Sequence, residues 1–466
     1  MSSQEYDFVV LGGGSAGSAA AAEAVKLGVG RVALINEEEL GGLCILRGCM
    51  PTKTLLFSAE FLLHARDCRE VGVDLSQVRY NFSTIMERKR RLVQRFQSAK
   101  IAAMKRGGYS ILFGQGRFTS PQTIRVGERN ITFRTCQIST GSTHAIPPIE
   151  GLSKIDYLTS DDVLELKAPP ASLTIQGAGP VALEFATFFA ALGTKVFLLN
   201  RSPILNQGED PDLSNQYKNM LEHHGINVYA PAKTLRISST PAGKVQSLVE
   251  VQQRKFLVET EKFLVATGRI PHISHLNLEA ANVQHQKGKI LLNEYLQTTN
   301  PRIFAAGDAS GNRLILHTAN QKGRLVAKNV KAFLNDQPLF PWREEIPITV
   351  IFTDHPYAEV GLRQKQAQQA GYSVVVAQKN WANQGRGIVM NTRPEEGFIK
   401  IIACQKSAKI LGAQILGPRA DDLIHTLAST MYYGGTAYDL LNMPWYHPTL
   451  SEAFVELARE IVSQCT

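Results

Sequence analysis

Residues 41–53 read Gly-Gly-Leu-Cys-Ile-Leu-Arg-Gly-Cys-Met-Pro-Thr-Lys, so that four residues separate Cys44 from Cys49. Upstream, the glycine-rich run Gly12–Gly17 directly follows an apolar segment that ends at Leu11. A glycine-rich turn between a strand and a helix is typical of a dinucleotide site, and a cysteine pair can alternate between thiol and disulfide. Together the two stretches predict chemistry that passes electrons from a bound cofactor to sulfur.

Length and composition are those of a multidomain globular protein. The 466 residues are 44% hydrophobic and 20% charged, and they exceed one ordinary core, so we expect about two to four domains. No apolar run has the length of a membrane span, and the first residues carry neither a charged leader nor an apolar signal segment. Six scattered cysteines do not suit a disulfide scaffold. We therefore expect a cytoplasmic protein without a membrane partner.

The formal net charge is +9, which favours solubility and attraction for anionic cofactors. The run Arg88–Arg91 is the main feature compatible with nucleic-acid binding. It continues into apolar residues at helical spacing, which is more typical of the solvated face of a helix. We therefore expect no nucleic-acid partner.

The opening strand–helix–strand pattern occurs twice in the chain. Its first copy predicts a strand over 6–11, a helix over 15–27 and a strand over 31–35. The second copy follows the same order, over 172–176, 182–192 and 195–199. One glycine motif alone is weak evidence for a nucleotide site, but this repeat predicts two nucleotide-binding units.

The segments outside the repeat are predicted from periodicity and from glycine and proline positions. We expect helices over 44–63 and 82–106, and a small antiparallel meander over 110–126. After residue 340 strands alternate with helices, which indicates a separate α+β domain.

The predicted fold class is thus α/β, with two Rossmann-like dinucleotide-binding domains and a C-terminal α+β domain. The predicted domains are 1–150 and 151–269 for the two nucleotide units, 270–340 for a return to the first, and 341–466 for the last.

The glycines of the first turn have separate tasks. Gly12 would permit the tight turn, Gly14 would let the backbone approach a pyrophosphate, and Gly17 would let helix and strand pack closely. The helix N-terminus then offers free N–H groups to the phosphates. The alternative is a tight turn without a ligand, which the surrounding strand–helix–strand pattern disfavours.

The cysteine stretch with its Pro-Thr-Lys ending resembles the redox-active disulfide of the FAD-dependent pyridine nucleotide-disulfide oxidoreductases. The resemblance continues in the family's order through a second glycine motif, Gly307-Asp308, and the C-terminal segment from His447 to Glu452. It implies FAD and NAD(P)H as cofactors, and a homodimer whose interface is the C-terminal domain. It also implies an enzyme that passes electrons from NAD(P)H through FAD to a Cys44–Cys49 disulfide, and on to a small-molecule or protein disulfide.

The residue that binds the FAD ribose is left open between two candidates. An acidic residue is expected where the second strand ends, but that position holds Asn36, and Glu37 follows it. Either Asn36 makes a weaker hydrogen bond, or Glu37 reaches the ribose through a shifted turn.

The second nucleotide site is predicted at Gly177, Gly179 and Ala182. The strand that should end in a ribose-binding acid instead ends in Asn200-Arg201-Ser202. An arginine there would attract a 2′-phosphate, so Arg201 favours NADPH over NADH. The alternative is that Arg201 only faces solvent.

Thiol exchange needs an attacking thiolate, a resolving thiol and a proton donor for the leaving group. A helix N-terminus and Lys53 are expected to lower the thiol pKa. By resemblance, Cys44 is the interchange thiol and Cys49 lies against the flavin. His447 is the acid–base residue, supplied by the partner subunit, and Glu452 orients its ring.

Other roles are implied by the resemblance alone. Lys53 would lie near the flavin ring, held by Glu184, and Asp308 would contact the ribityl chain of FAD. The remaining cofactor contacts are expected at Gly42, Gly116, Thr140, Gly141, Gly268 and Arg269.

The substrate is left open among several possibilities. Dihydrolipoamide dehydrogenase is one alternative, opposed by Arg201, and a mercuric reductase-like metal-ion reductase is another, opposed by the presence of His447. A flavin-binding redox sensor is the alternative outside enzymes. The remaining histidines lack metal-ligand spacing, so we expect no metal site.

Overall fold

The structure is a computed structural model that describes residues 4–75, 77–206, 210–311, 314–343 and 346–465. Among these residues, no helix is both long enough and apolar enough to cross a bilayer.

The first part of the chain contains a glycine turn, a cysteine-bearing helical segment and a long amphipathic helix. Its elements are β1 (Gln4–Leu11), α1 (Ser15–Lys26), β2 (Val32–Asn36), α2 (Leu43–Leu46), α3 (Cys49–Asp67), α4 (Phe82–Lys105), β3 (Ser110–Phe113), β4 (Gly116–Ser120), β5 (Thr123–Val126), β6 (Arg129–Ile138) and β7 (Ser142–His144). The predicted first strand–helix–strand unit is confirmed.

The second part of the chain repeats that unit and adds a three-stranded antiparallel sheet. Its elements are α5 (Ser160–Val163), β8 (Ser172–Gln176), α6 (Pro180–Ala191), β9 (Lys195–Leu199), α7 (Pro211–His223), β10 (Asn227–Tyr229), β11 (Lys233–Ser239), β12 (Val245–Val251), β13 (Arg254–Thr260) and β14 (Lys262–Val265). Strands β10, β9, β8 and β14 pair in that order, all in parallel.

The chain then forms short strands and one long helix. These elements are β15 (Arg269–Pro271), β16 (His285–Gln286), β17 (Lys289–Ile290), β18 (Ile303–Ala305) and α8 (Leu316–Leu334). Strand β18 pairs in parallel with β6 and so joins the first sheet, whose other strands pair in the order β3-β2-β1-β6-β5-β4.

The C-terminal part is an antiparallel sheet with helices packed on it. Its elements are β19 (Ile348–Ile351), β20 (Tyr357–Gly361), α9 (Gln364–Gln369), β21 (Val374–Asn380), α10 (Gly385–Val389), β22 (Phe398–Cys404), β23 (Ile410–Leu416), α11 (Ala420–Tyr432), α12 (Ala437–Asn442) and α13 (Ala453–Gln464). The strand order is β19-β20-β23-β22-β21. Together with the mostly parallel first sheet and the parallel sheet of the second part, this confirms the predicted fold class.

One predicted element was wrong. Residues 110–113 do not belong to an antiparallel meander, because β3 pairs in parallel with β2 at the edge of the first sheet. Only β4 and β5 continue into β6 in antiparallel fashion. The short apolar run of β3 has no periodicity that distinguishes the two pairings, so tertiary packing decides between them.

The residues divide into two compact units. The first unit comprises residues up to 54, 87–145 and 268–343, and the second comprises 55–86, 146–267 and 344 onward. The predicted boundaries near residues 150, 269 and 340 stay predictions.

Small side chains let helices pack closely on the sheet of the first unit. In α1, Ala20, Ala21 and Ala24 are fully buried, and they share a core with Phe8 and Val10 of β1. Burial of apolar surface of this kind contributes about 25 cal/mol per Å².

A buried lysine joins two parts of the second unit. Lys400 of β22 is 1% exposed, and its Nζ lies 3.0 Å from both Asp210 Oδ2 and Asp212 Oδ2. Asp210 is the N-cap of α7 and Asp212 is in its first turn, so both carboxylates also suit the positive end of that helix.

Candidate active site

The glycine turn after β1 is packed so closely that larger residues do not fit at two positions. Gly12 has φ +100°, and a Cβ atom there would lie 2.3 Å from the carbonyl oxygen of Ser139. A Cβ on Gly17 would lie 1.9 Å from the oxygen of Gly12. At Gly14, by contrast, a Cβ atom would meet no atom of the described residues within 4 Å, so that side of the backbone is open to a ligand.

An open cleft lies in front of this turn, within the first unit. Its predicted lining residues are Gly12, Gly14, Asn36, Glu37, Gly42, Gly116, Thr140 and Gly141. The residues that the sequence did not predict include Glu38, Arg47, Ser142, His272 and His275. Gly17 is buried behind the turn, where its role is packing.

Asn36 uses its side chain to hold the glycine turn. Its Oδ1 accepts a hydrogen bond of 2.8 Å from the backbone N–H of Gly13, and its Nδ2 donates to the backbone oxygen of Glu38. Both ends of the amide are therefore engaged within the protein. Glu37 instead accepts a hydrogen bond from Gln115 Nε2, at 2.9 Å, beside the cleft.

Gly42 brings the cysteine stretch against the glycine turn. It has φ +75°, and a Cβ atom there would lie 2.7 Å from the Cα of Gly14. The chain then enters α2, which carries Cys44, and α3, whose first residue is Cys49. The 19-residue helix α3 thus begins at the second cysteine, where free N–H groups favour negative charge.

The two cysteine side chains are in contact. The two sulfurs are not joined in a disulfide in the structure, and Cys44 is half-buried while Cys49 is exposed. The hydrogen bond between them raises the pKa of Cys44 well above the ordinary thiol value, and burial and the charge of Cys49 raise it further. Lys53 lowers it by less. The expectation of a lowered pKa is therefore wrong for Cys44, because the neighbouring sulfur and burial outweigh the cation.

A chain of hydrogen bonds links three polar side chains beside the cleft. Arg269 Nε donates to Ser142 Oγ at 2.9 Å, and Ser142 Oγ donates to Asp308 Oδ2 at 2.6 Å. Arg269 lies on β15, which pairs with β7. Thr140 Oγ1 donates to the backbone oxygen of His272 at 2.6 Å. Predicted residues from three distant segments are thus brought together, next to Gly141 and Gly268.

Two histidines in the cleft were missed by sequence reasoning. The rings of His272 and His275 lie 4.4 Å apart, and burial and the charge of His272 lower the pKa of His275. Burial and the neighbouring ring thus favour the neutral form of His275, while the charge of Glu37 opposes them by less. The two histidines follow strand β15. The only sequence signal for their role is that His272 and His275 lie three positions apart, directly after Pro271.

Arg47 was also missed, although it lies between the two cysteines in sequence. Its guanidinium pairs with the carboxylate of Glu38 at 2.5 Å, at the edge of the cleft. This places a positive and a negative charge close to the cysteine stretch.

The second glycine turn lies in the second unit and repeats the geometry of the first. Gly177 has φ +119°, and a Cβ there would lie 2.4 Å from the oxygen of Ala266. Gly179 has open space around its Cα among the described residues, and Ala182 is fully buried in α6. Arg201 follows β9 with an exposed side chain. The geometry of this turn matches the prediction, while the coenzyme preference assigned to Arg201 stays a prediction.

Glu184 is buried in α6, where its Oε1 accepts a hydrogen bond of 3.1 Å from the backbone N–H of Phe352. Its expected pairing with Lys53 stays a prediction.

His447 and Glu452 form a pair in the second unit. His447 Nδ1 lies 2.9 Å from Glu452 Oε1, while 78% of the histidine side chain remains exposed. The Thr449 backbone N–H, which donates to Glu452 Oε2 at 2.8 Å, and then His447 hold the pKa of Glu452 below its usual range. The carboxylate is thus ionised and fixes the ring, leaving Nε2 for chemistry.

The first cleft fits a flavin adenine dinucleotide. The open approach at Gly14 lies at the N-cap of α1, where backbone N–H groups favour a diphosphate. Gly42, Thr140 and Gly141 continue the cleft toward the cysteine stretch and the Ser142–Asp308 pair. These residues would hold the cofactor, with the cysteine-bearing helices beside one end of the cleft.

Comparison with protein families gives two matches. Residues 6–323 match the family described as pyridine nucleotide-disulphide oxidoreductase, and residues 347–458 match the dimerisation domain of the same group. Among curated proteins, a mercuric reductase of Bacillus cereus is 33% identical over 451 residues, covering 96% of this chain and 70% of that protein. A dihydrolipoyl dehydrogenase of Bacillus subtilis is 31% identical over 471 residues, covering 97% of each.

Similar solved structures are also of a flavoprotein disulfide reductase. The HOCl-induced flavoprotein disulfide reductase RclA of Escherichia coli superposes with a TM-score of 0.85 at 27% identity, covering 97% of this chain and 99% of that one. A Cu(II) complex of RclA has a TM-score of 0.84 at 27% identity and covers 99% of this chain and all of that one.

Proposed function

The chain belongs to the pyridine nucleotide-disulphide oxidoreductase family, and within it we propose an NADPH-preferring reductase that passes electrons through Cys44 and Cys49 to a disulfide substrate. Family membership makes it a flavoprotein oxidoreductase acting on sulfur groups, with FAD and NAD(P)H as cofactors, as predicted. The substrate, the coenzyme preference and the roles of single residues are the proposed part.

FAD, when bound, supplies the chemistry that takes up a hydride from NAD(P)H and delivers its electron pair to the Cys44–Cys49 disulfide. The protein contributes the glycine turns that hold the two nucleotides and the placement of the sulfur pair. The close backbone contact between Gly42 and Gly14 fixes the position of the cysteine stretch against the first glycine turn.

The exchange step follows from the properties of the cysteine pair. Cys44, as thiolate, attacks one sulfur of the substrate disulfide, and the second substrate sulfur leaves and takes a proton. Cys49 then attacks Cys44, which releases the other substrate thiol and restores the Cys44–Cys49 disulfide. Because the pKa of Cys44 is raised, a base must remove its proton before the attack.

The observation that carries this proposal is the hydrogen-bonded pair His447–Glu452. The ionised carboxylate orients an exposed imidazole, as a base that serves a solvent-accessible thiol requires. We assign the proton transfer to the partner subunit's His447, so that each active site is shared in a homodimer. The match to a dimerisation domain and the exposed aromatic residues Tyr433 and Tyr446 support this assembly.

The coenzyme preference is assigned to Arg201. Its exposed guanidinium follows β9 at the place where an acid would accept from a 2′-hydroxyl. A 2′-phosphate would pair with it, which favours NADPH. The preference for NADPH argues against dihydrolipoamide dehydrogenase, the alternative that the 31% identical dihydrolipoyl dehydrogenase of Bacillus subtilis supports.

Reduction of a soft metal ion is the second candidate. Its support is the mercuric reductase of Bacillus cereus, at 33% identity, and the solved Cu(II) complex of RclA. Two neighbouring thiols are suitable ligands for such an ion as substrate. Metal-ion reduction requires no protonation of a leaving thiolate, so it does not use His447.

This difference defines the experiment. The holoenzyme is given NADPH or NADH with lipoamide, glutathione disulfide, small aromatic disulfides, Hg²⁺ or Cu²⁺, and coenzyme oxidation is followed. For a disulfide substrate, His447→Gln should lower kcat/KM by at least about 100-fold, whereas His285→Gln should have no effect. A metal-ion substrate whose turnover is unaffected by His447→Gln would favour the second candidate.

A third outcome would overturn both candidates. Anaerobic NADPH should generate two new thiols per chain in the wild type and none in Cys49→Ser. If no thiols appear and no substrate is turned over, the chain is a flavin-binding sensor. We also propose a cytoplasmic location, because few scattered cysteines with one exchanging pair suit a reducing compartment.

A further inference from the structure

A cluster of titratable side chains lies in the second unit, apart from the cysteine chemistry. Its members are His224, the C-cap of α7, and Asp354 and His355 in the loop between β19 and β20. One ligand atom from each residue lies within 4.8 Å of the others. Sequence spacing indicated no metal site, because His224 and Asp354 are 130 positions apart in the chain.

The distances within the cluster suit a small ion. His224 Nε2 lies 3.1 Å from Asp354 Oδ2, and His355 Nδ1 lies 3.1 Å from the same oxygen. Ligand atoms that share one tetrahedral zinc ion at about 2.0–2.1 Å are separated by roughly this distance.

Two buried atoms of the cluster lack hydrogen bonds. Within the described residues, Asp354 Oδ1 is a buried side-chain atom without a hydrogen-bond partner, and His224 Nε2, although 3.1 Å from Asp354 Oδ2, makes no well-aligned hydrogen bond. The side chains of His224 and Asp354 are only 8% and 3% exposed. An unsatisfied buried polar atom costs about 1–3 kcal/mol, so such atoms call for a partner.

The surroundings hold the third ligand in the orientation that a metal needs. Glu396 Oε2 lies 3.3 Å from His355 Nε2, and it also accepts a hydrogen bond of 3.0 Å from the backbone N–H of Arg393. Each ring nitrogen of His355 thus faces a carboxylate. With the ring proton on Nε2 toward Glu396, Nδ1 can offer its lone pair to a metal ion that takes the place of the proton between Nδ1 and Asp354 Oδ2. The hydroxyl pair Tyr217–Thr353, at 3.0 Å, fixes the loop on α7.

We propose that His224, Asp354 and His355 bind one divalent transition-metal ion of the Zn²⁺ type, with Glu396 orienting His355. Two imidazole nitrogens and one carboxylate oxygen suit Zn²⁺ rather than Mg²⁺ or Ca²⁺, which prefer sets of oxygen ligands. The low exposure of the ligands places the ion in the interior, where it ties the end of α7 to the β19–β20 loop and leaves the fourth tetrahedral position to water. The site is independent of the proposed reductase chemistry.

The test measures metal bound to the FAD-loaded, full-length protein after chelator treatment and re-addition of Zn²⁺ or Co²⁺. Cys44 and Cys49 are both replaced by serine in this background, so that the thiol pair binds no ion. We expect one ion per chain, visible d–d bands of tetrahedral Co²⁺, no sulfur-to-cobalt charge-transfer band, and a rise in Tm on Zn²⁺ addition.

Two variants and one control decide the assignment. His224→Gln and Asp354→Asn should each abolish binding and the Tm rise, whereas His285→Gln, an exposed histidine paired with Glu279, should retain both. If Asp354→Asn does not fold, His224→Gln decides alone. Absence of bound metal in the parent protein, or undiminished binding in His224→Gln, would overturn the proposal.

Discussion

Gly42 approaches Gly14 so closely that a Cβ atom on Gly42 would lie 2.7 Å from the Cα of Gly14. The first glycine opens the cysteine stretch, and the second is the open position of the nucleotide turn. The sulfur pair and the cofactor cleft are thus joined through backbone contact, without an intervening side chain.

Gly42→Ala should therefore weaken FAD binding. The added methyl group would force the cysteine stretch away from Gly14, and we expect flavin content after gel filtration, read as absorbance at the flavin band relative to protein, to fall by at least about 10-fold, which is about 1.4 kcal/mol. Gly28→Ala is the matched control, because Gly28 also has a positive φ, +69°, but has open space around its Cα among the described residues.

Both glycine variants share a strain cost of about 1–2 kcal/mol, because alanine is placed in the left-handed region. Only Gly42→Ala adds a steric clash. Equal flavin retention by the two variants would show that the Gly42–Gly14 approach does not matter for the cofactor.

Glu452→Gln should lower the rate of disulfide reduction by about 10- to 100-fold, since the ring of His447 loses its charged partner. The effect should lie in kcat more than in KM, because the carboxylate does not touch substrate. The control is Glu456→Gln, which breaks the ion pair between Glu456 and Lys379 (2.6 Å) near the start of α13, the helix that Glu452 precedes. This variant should leave kcat unchanged.

The pKa of Cys44 should respond to its neighbour. The Cys49 hydrogen bond and charge raise the pKa of Cys44, so Cys49→Ser should lower it, and the thiolate of Cys44 should form at lower pH. The measurement is the rate of Cys44 alkylation by iodoacetamide against pH, with the site identified by mass spectrometry. A midpoint that stays in place or moves upward in Cys49→Ser would contradict the coupling.

Arg201→Glu should reverse the coenzyme preference. The carboxylate would repel the 2′-phosphate of NADPH and accept from the 2′-hydroxyl of NADH, so the ratio of kcat/KM for NADPH to that for NADH should fall by at least about 10-fold, worth about 1.4 kcal/mol. Arg254→Glu makes the same charge change at an exposed position of β13 and should leave the ratio unchanged. An unaltered ratio in Arg201→Glu would remove that residue from the assignment.

Local patterns were sufficient for most of the fold. The strands 172–176 and 195–199 were predicted to the residue, because each is an apolar run bounded by turn residues. The glycine turns and the cysteine pair could also be predicted from the sequence, since each is a contiguous motif. The strand at 110–113 was misassigned because its partner, β2, is distant in sequence.

The parts of the sites that escaped prediction depend on long-range contact. Nothing local places His275 beside Glu37, or His224 beside Asp354, since folding alone brings these segments together. The raised pKa of Cys44 was missed for another reason, because the sequence shows neither burial nor which of two sulfurs holds a shared proton.

Lys400 has a mechanical consequence for the coenzyme-binding region. Separation of α7 from β22 would leave the buried ammonium group of Lys400 without its two partners, the carboxylates of Asp210 and Asp212 at the start of α7. We therefore expect any hinge motion during turnover to occur elsewhere. The second nucleotide-binding fold and the C-terminal sheet should move together as one rigid body.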